Sequence, residues 1–197
     1  MTTYKRSSIR SPLGKLSTCR LALALTCCLL IAARLAAQEP TREDLWRLLG
    51  DLAGRWEGAI DGRLGTGSGV REYEFVLEKN FLMWRHASVR LPQEMSPKGD
   101  YHREIGFFSF DPERKKLVLR TFIVEDFVNQ YVCEVEERTV VCVMEKSEGE
   151  GGSGWGGRLT LEIHDAYRFD EIFELAAPGQ ELAVYLTNTW NRVPALE

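Results

Sequence analysis

A chain of 197 residues has the length of one domain, and with 44% apolar and 27% charged residues it excludes a disordered or coiled-coil protein. The formal net charge is −4. No basic patch stands out, which argues against a nucleic-acid partner.

Residues 1–37 differ from the rest of the chain. They carry Lys5, Arg6, Arg10, Lys15, Arg20 and Arg34, and no acidic residue. An apolar run from Leu21 to Ala33 comes next, then Ala36 and Ala37 before Gln38. Basic end, short apolar middle and small-residue site are the order of a secretory signal peptide. We expect cleavage after Ala37 and an exported protein, periplasmic or secreted. The apolar run is too short to span a bilayer, so no integral membrane span is expected after cleavage. Neither Cys27 nor Cys28 follows a lipobox. Removing six of the 25 basic residues leaves the 29 acidic ones in excess by ten.

Residues 38–53 hold an N-terminal segment and one short helix, expected over 41–53. Thr41 is its N-cap, Glu43 and Asp44 occupy the first turn, and Leu45, Leu48, Leu49 and Leu52 form one apolar face.

From Gly54 the period switches to two, and a β domain is expected over 54–197. Arg55 to Ile60 is a strand carrying Trp56. Val70 to Lys79 alternates, with Tyr73, Phe75 and Leu77 opposite Glu72, Glu74 and Glu78. Asn80 marks a turn before a strand from Phe81 to Leu91. Further strands are read at 101–110, 117–124, 127–135, 139–145, 158–163, 167–175 and 182–190. Sequential neighbours pair in a meander, and a meander this long exposes two edges unless it closes. The expected fold is all-β: a closed up-and-down antiparallel barrel of about ten strands, with the helix covering or plugging one end.

Cleavage would leave two cysteines. Cys133 and Cys142 flank a tight turn at Glu137-Arg138 and fall opposite one another on a non-hydrogen-bonded pair, within disulfide range. Two reduced thiols are the alternative reading.

The helix leads into Gly54-Arg55-Trp56, which resembles the Gly-x-Trp opening of the calycin barrels, the lipocalins and their relatives. That resemblance implies that Trp56 plugs the barrel floor and that Arg192 stacks on it. The strand count is closer to nitrobindin and fatty-acid-binding-like barrels. His102-Arg103-Glu104-Ile105-Gly106-Phe107 is similar to a stretch of nitrobindin-like haem barrels. Those proteins hold iron through a histidine near the C-terminus. No histidine follows His164 here, and residues 182–193 offer Tyr185, Asn188 and Trp190. Haem is the cofactor the resemblance raises, and its expected ligand is missing. Two stretches, 121–131 and 173–179, are also similar to a set of uncharacterised bacterial exported β-barrels.

Candidate ligand-binding residues are His86, Arg120, Glu125, Asn129 and Tyr131. His86 follows Trp84 on one strand face, and an inward His86 could ligate haem or polarise a ligand carbonyl; the alternative is a half-exposed histidine on a strand. An inward Arg120 near Glu125, Asn129 or Tyr131 would give the lumen a polar anchor; the alternative is an outward charged face. No catalytic residues are read: there is no nucleophile elbow, phosphate loop or dinucleotide fingerprint. No metal-ligand spacing links His86, His102 and His164. The glycine-rich segment 149–157 reads as a lid at the barrel mouth or a plain hairpin loop.

The expected function is an exported barrel holding a small apolar or amphipathic molecule in its lumen. The alternative is a non-catalytic structural or interaction barrel whose core is filled by side chains such as Trp84, Phe108 and Phe122.

Overall fold

The computed structural model describes residues 40–194. The proposed signal segment, 1–37, lies outside them. Helix α1 (Arg42–Gly50) is followed by ten strands: β1 (Gly54–Gly62), β2 (Gly65–Val76), β3 (Phe81–Arg90), β4 (Asp100–Asp111), β5 (Lys116–Ile123), β6 (Val128–Glu136), β7 (Thr139–Glu148), β8 (Gly156–Ile163), β9 (Arg168–Ala176) and β10 (Ala183–Arg192). Every strand pairs antiparallel with its sequence neighbour, and β1 also pairs with β10, which closes the barrel. Closure leaves no free sheet edge, so every strand has a hydrogen-bonded neighbour on both sides.

Local chemistry sets α1. The Thr41 hydroxyl accepts from the Asp44 N–H, and the Asp44 carboxylate accepts from the Thr41 N–H, a reciprocal capping box. The helix stops at Gly50, three residues earlier than expected, where the Asp51 and Leu52 N–H groups turn back to the carbonyls of Leu48 and Leu49, respectively. Leu45 and Leu49 from the helix and Leu52 beyond it are buried at one end of the barrel. There they join Trp56, Leu117, Val140, Ile163 and Phe169 in a single core, so the helix plugs that end. The Trp46 indole N–H also donates to the Lys79 carbonyl, tying the helix to the β2–β3 turn.

The Trp56 indole N–H donates to the Leu52 carbonyl at 2.7 Å, and the Arg192 guanidinium lies 4.4 Å from its ring centroid. Arg192 donates in turn to the carbonyls of Ala53, Asp51 and Ala166, joining the last strand to the chain around the first. Gly54 makes room for this contact: its φ is +130°, and a Cβ there would overlap the Arg192 side chain. Arg192 thus lies over the Trp56 ring.

Cys133 and Cys142 pair across β6 and β7 with Cα atoms 3.9 Å apart and form the expected disulfide inside the core. The two-residue turn between them holds Glu137 at a φ of +52°.

Most strand boundaries shift by one to three residues, and β2 departs from expectation at both ends. β2 ends at Val76, and Leu77 is 69% exposed. Leu77, Glu78 and Lys79 all take left-handed φ angles of 50–62°, which breaks the alternation before Leu77 can turn inward. The same strand begins at Gly65, not Val70, because Gly67 and Gly69 face inward where Arg90, Trp190 and His86 crowd the backbone.

Candidate functional site

The two ends of the barrel interior differ. Toward α1 it is solid: Trp56, Tyr73, Trp84, Phe108, Phe169 and Trp190 are all buried and meet mostly edge to face at 4.8–6.2 Å. Toward the other end the strands enclose a cavity of about 480 Å³, within the range of small-molecule sites. A core filled along its whole length is thus not what these side chains make. Of the three expected to fill it, Trp84 and Phe108 do pack inside, whereas Phe122 points outward against Phe107.

The floor of the cavity is polar. Arg71 on β2 is 2% exposed, and its guanidinium lies 4.7 Å from the ring centroids of both Trp84 and Trp190. It donates to Glu171 on β9 through two N–H groups, at 2.6 and 3.3 Å, and to the Tyr73 hydroxyl at 3.3 Å. The Trp190 indole N–H donates to the same Glu171 carboxylate at 2.9 Å. Burial opposes the Arg71 charge, but Glu171, Tyr73 and Glu104 outweigh it and hold the guanidinium firmly protonated. A buried arginine this well paired is a structural strut between β2 and β9.

Above the strut stand His86 on β3 and His102 and Glu104 on β4. The Glu104 carboxylate is 3.6 Å from the Arg71 guanidinium. Burial pushes its pKa up, reinforced by Glu171 and Glu125 and opposed by Arg71 and His102. His86 is 8% exposed, and burial, with Arg71, His102 and Arg90 nearby, pushes its pKa well down, so the imidazole is neutral. The register explains the motif seen in the sequence: His102 and Glu104 face the cavity, and Gly106 sits under the Trp84 indole, which a Cβ would strike.

Of the expected site residues, His86, Asn129 and Tyr131 face the cavity and are buried. Burial, with Glu104 and Glu171 nearby, raises the Tyr131 pKa, which keeps the phenol protonated. Glu125 sits in the β5–β6 loop at the cavity wall, its side chain 47% exposed and 3.0 Å from His102 Nδ1. Arg120 is the correction. Leu119 and Thr121 turn inward, so Arg120 points out, with its side chain 46% exposed and 3.7 Å from Glu148. The inward guanidiniums are Arg71 and Arg90, the latter 2.9 Å from Asp100. Neither is among the expected residues, though Arg71 has the same parity as Tyr73, and its partner Glu171 the same parity as Phe169 and Phe173. Period two alone marks both members of that pair as inward.

Seven buried side-chain atoms of the lining have no hydrogen-bond partner: the donors Arg71 Nε, Trp84 Nε1 and Arg90 Nε, the amide oxygens Asn129 Oδ1 and Asn188 Oδ1, and His86 Nδ1 and Thr121 Oγ1. Nearer the mouth Ile123, Phe127, Met144, Trp155, Leu175 and Leu186 supply apolar surface, beside the Arg90–Asp100 pair and Glu125. Gly151, Gly152 and Trp155 bring the glycine-rich β7–β8 connection into the rim.

The lining does not suit haem. β10 offers the cavity Tyr185, Leu186 and Asn188, and no histidine. His86 presses edge-on against Trp190 at 5.5 Å, and His102 is engaged by Glu125. A porphyrin bearing two carboxylates of its own would also meet Glu104, Glu125, Glu171 and Asp100.

No described helix is long and apolar enough to cross a membrane. No family model matches the chain, and no curated protein matches it. Among solved structures it is similar to Rv2717c from M. tuberculosis, at 15% identity and a TM-score of 0.56, over 75% of this chain and 96% of that one. Two engineered proteins align less well. A de novo designed fluorescence-activating β-barrel gives 10% identity and a TM-score of 0.37, over 72% of this chain and 93% of its own. A redesigned β-barrel gives 11% and 0.35, over 80% and 100%. The likeness to Rv2717c is one of fold, and the closed ten-stranded barrel with a helix before its first strand fits a calycin-like barrel coarsely.

Proposed function

We propose that this chain is an exported binding barrel that holds one small amphipathic molecule in its lumen. The observation that carries the reading is the one-ended cavity of about 480 Å³, lined by unpartnered buried polar atoms and by apolar side chains. A buried polar atom without a partner costs about 1–3 kcal/mol, so a ligand that supplies hydrogen bonds there gains affinity by relieving that cost. A ligand tail along Ile123, Phe127 and Leu186 gains roughly 25 cal/mol for each Å² of apolar surface removed from water. Of the five binding residues expected from the sequence, His86, Glu125, Asn129 and Tyr131 are kept in this reading and Arg120 is not; Glu104, Thr121 and Asn188 join them.

Export is supported by the basic-then-apolar order of residues 1–37 and by the Cys133–Cys142 disulfide. N-terminal sequencing of the protein from its own host is expected to begin at Gln38.

Native mass spectrometry of the protein purified from that host tests the binding reading. The expected spectrum shows a mass above that of the polypeptide that disappears on denaturation. A spectrum of bare polypeptide under gentle conditions contradicts it.

A further inference from the structure

We propose that the lumen selects a cationic head group: a protonated alkylamine, seated with its ammonium against Glu104 and its chain toward the mouth. This rests on the binding reading above and names the chemistry of the ligand's polar end.

The charged groups lining the cavity, among the described residues, are Arg71 of β2, Arg90 of β3, Asp100 and Glu104 of β4, Glu125 of the β5–β6 loop and Glu171 of β9. Two guanidiniums face four carboxylates. Arg71 is taken by Glu171 at 2.6 Å and Arg90 by Asp100 at 2.9 Å. Glu125 meets the His102 imidazole at 3.0 Å. Glu104 is left with a single ion pair, the 3.6 Å contact to an Arg71 whose N–H groups already serve Glu171 and Tyr73. His86 adds no compensating charge, because burial keeps it neutral.

An acidic group in a cavity does not define a ligand by itself. The second observation is a pair of buried amide oxygens lining the same cavity from β6 and β10. The Asn129 and Asn188 side chains are 6% and 5% exposed, and their amide oxygens accept from nothing. His86 Nδ1 and Thr121 Oγ1 are equally unpartnered. An amide oxygen can only accept, so the missing partner is a donor. An ammonium brings three donors and no acceptor. It supplies the charge that Glu104 lacks and the hydrogens that the two amide oxygens lack. A carboxylate head could meet the unpartnered donors Arg71 Nε, Trp84 Nε1 and Arg90 Nε, but it would add negative charge to the surplus and satisfy neither amide oxygen. Burying an ammonium is costly unless it is paired, and Glu104 provides that pairing inside the wall.

Three probes with one tail separate the head group from the cavity: octylammonium, octanol and octanoate, each titrated into the purified protein by calorimetry at pH 7. The expected order places octylammonium about tenfold or more tighter than octanol, with octanoate weakest. Glu104→Gln is expected to bring octylammonium level with octanol, because the charge that separates the two probes is gone. Octanol or octanoate binding as tightly as octylammonium to the unmodified protein overturns the head-group assignment and leaves the binding barrel standing. If none of the three binds, the binding reading falls and this inference with it. The comparison on the unmodified protein holds even where Glu104→Gln fails to fold.

Discussion

Single side chains decide what the interior of this barrel can do. Arg71 is the clearest case: its guanidinium is buried between two indoles and shared among Glu171, Tyr73 and Glu104. Arg71→Met leaves the Glu171 carboxylate buried without its cation, so urea unfolding is expected to show a loss of about 3–5 kcal/mol. Arg71→Met combined with Glu171→Leu removes both charges and is expected to cost less than the single change; a double variant as costly as the sum of the two would refute the strut. Glu104 makes a pH prediction. Its folded pKa is raised above the unfolded value of about 4.5, chiefly by burial. The folded state then holds a proton that the unfolded chain gives up, so the contribution of Glu104 is intact below pH 4.5 and is lost as pH rises through the folded pKa. The stability of Glu104→Gln relative to the unmodified protein is therefore expected to increase with pH from about 4.5 upward. A pH-independent difference in thermal midpoints would contradict this. His86 acts with opposite sign: below about 6.5 the unfolded chain takes up a proton that burial denies to the folded one, so acidification costs stability there.

Residue identity in the lumen is only partly legible in the sequence. His102 and Glu104 share a face by simple alternation, and Asn129 and Tyr131 follow from the same count. The expectation of an inward Arg120 fails because Leu-Arg-Thr-Phe carries apolar residues on both parities, and Phe122 competes with Leu119 for the interior. Leu117 and Leu119 are buried and Phe122 lies outside against Phe107, so the side chains of the neighbouring strands decide the parity.

At the scale of elements, α1 acts as a stopper. Leu49 is completely buried against the floor aromatics. Leu49→Ala is expected to cost about 2–5 kcal/mol in urea unfolding, and a cost under about 1 kcal/mol would mean the helix is loosely attached. The β6–β7 hairpin carries the second element-scale device. The disulfide closes a loop with a sequence separation of 9, worth about 2.7 kcal/mol in the chain-entropy model. Unfolding with and without reductant should differ by about that amount; coincident curves would contradict it. Here the sequence is informative, since a two-residue turn at Glu137-Arg138 fixes Cys133 opposite Cys142. The first half of β2 is harder to read. Gly-Thr-Gly-Ser-Gly has the composition of a loop, and it is a strand only because the inward glycines admit Arg90, Trp190 and His86. The turn at Leu77-Glu78-Lys79 hides for a similar reason: three ordinary residues adopt left-handed angles, and the Asn80 side chain donates to the Leu77 carbonyl to close it.

For the whole molecule, ten alternating segments joined by short turns are enough to read a closed barrel, because an open meander of that size would leave two edges. Which end is open cannot be read the same way. Both ends draw on the same inward parity, and the difference lies in side-chain size and contact: indoles and α1 fill one end, while Ser88, Thr121, Asn129 and Asn188 leave space at the other. The overall charge points in the same direction as the lumen, since an acidic molecule raises the local concentration of cations near it.

An open lumen occupied by a ligand can be tested at two adjacent positions on β5. Thr121 faces the cavity and Arg120 faces solvent. Native mass spectrometry of host-purified Thr121→Phe and Arg120→Phe compares a blocked lumen with an altered exterior in otherwise similar chains. A binding barrel retains the bound mass in Arg120→Phe and loses it in Thr121→Phe. Equal retention by both variants would place the bound molecule outside the barrel and contradict lumenal binding.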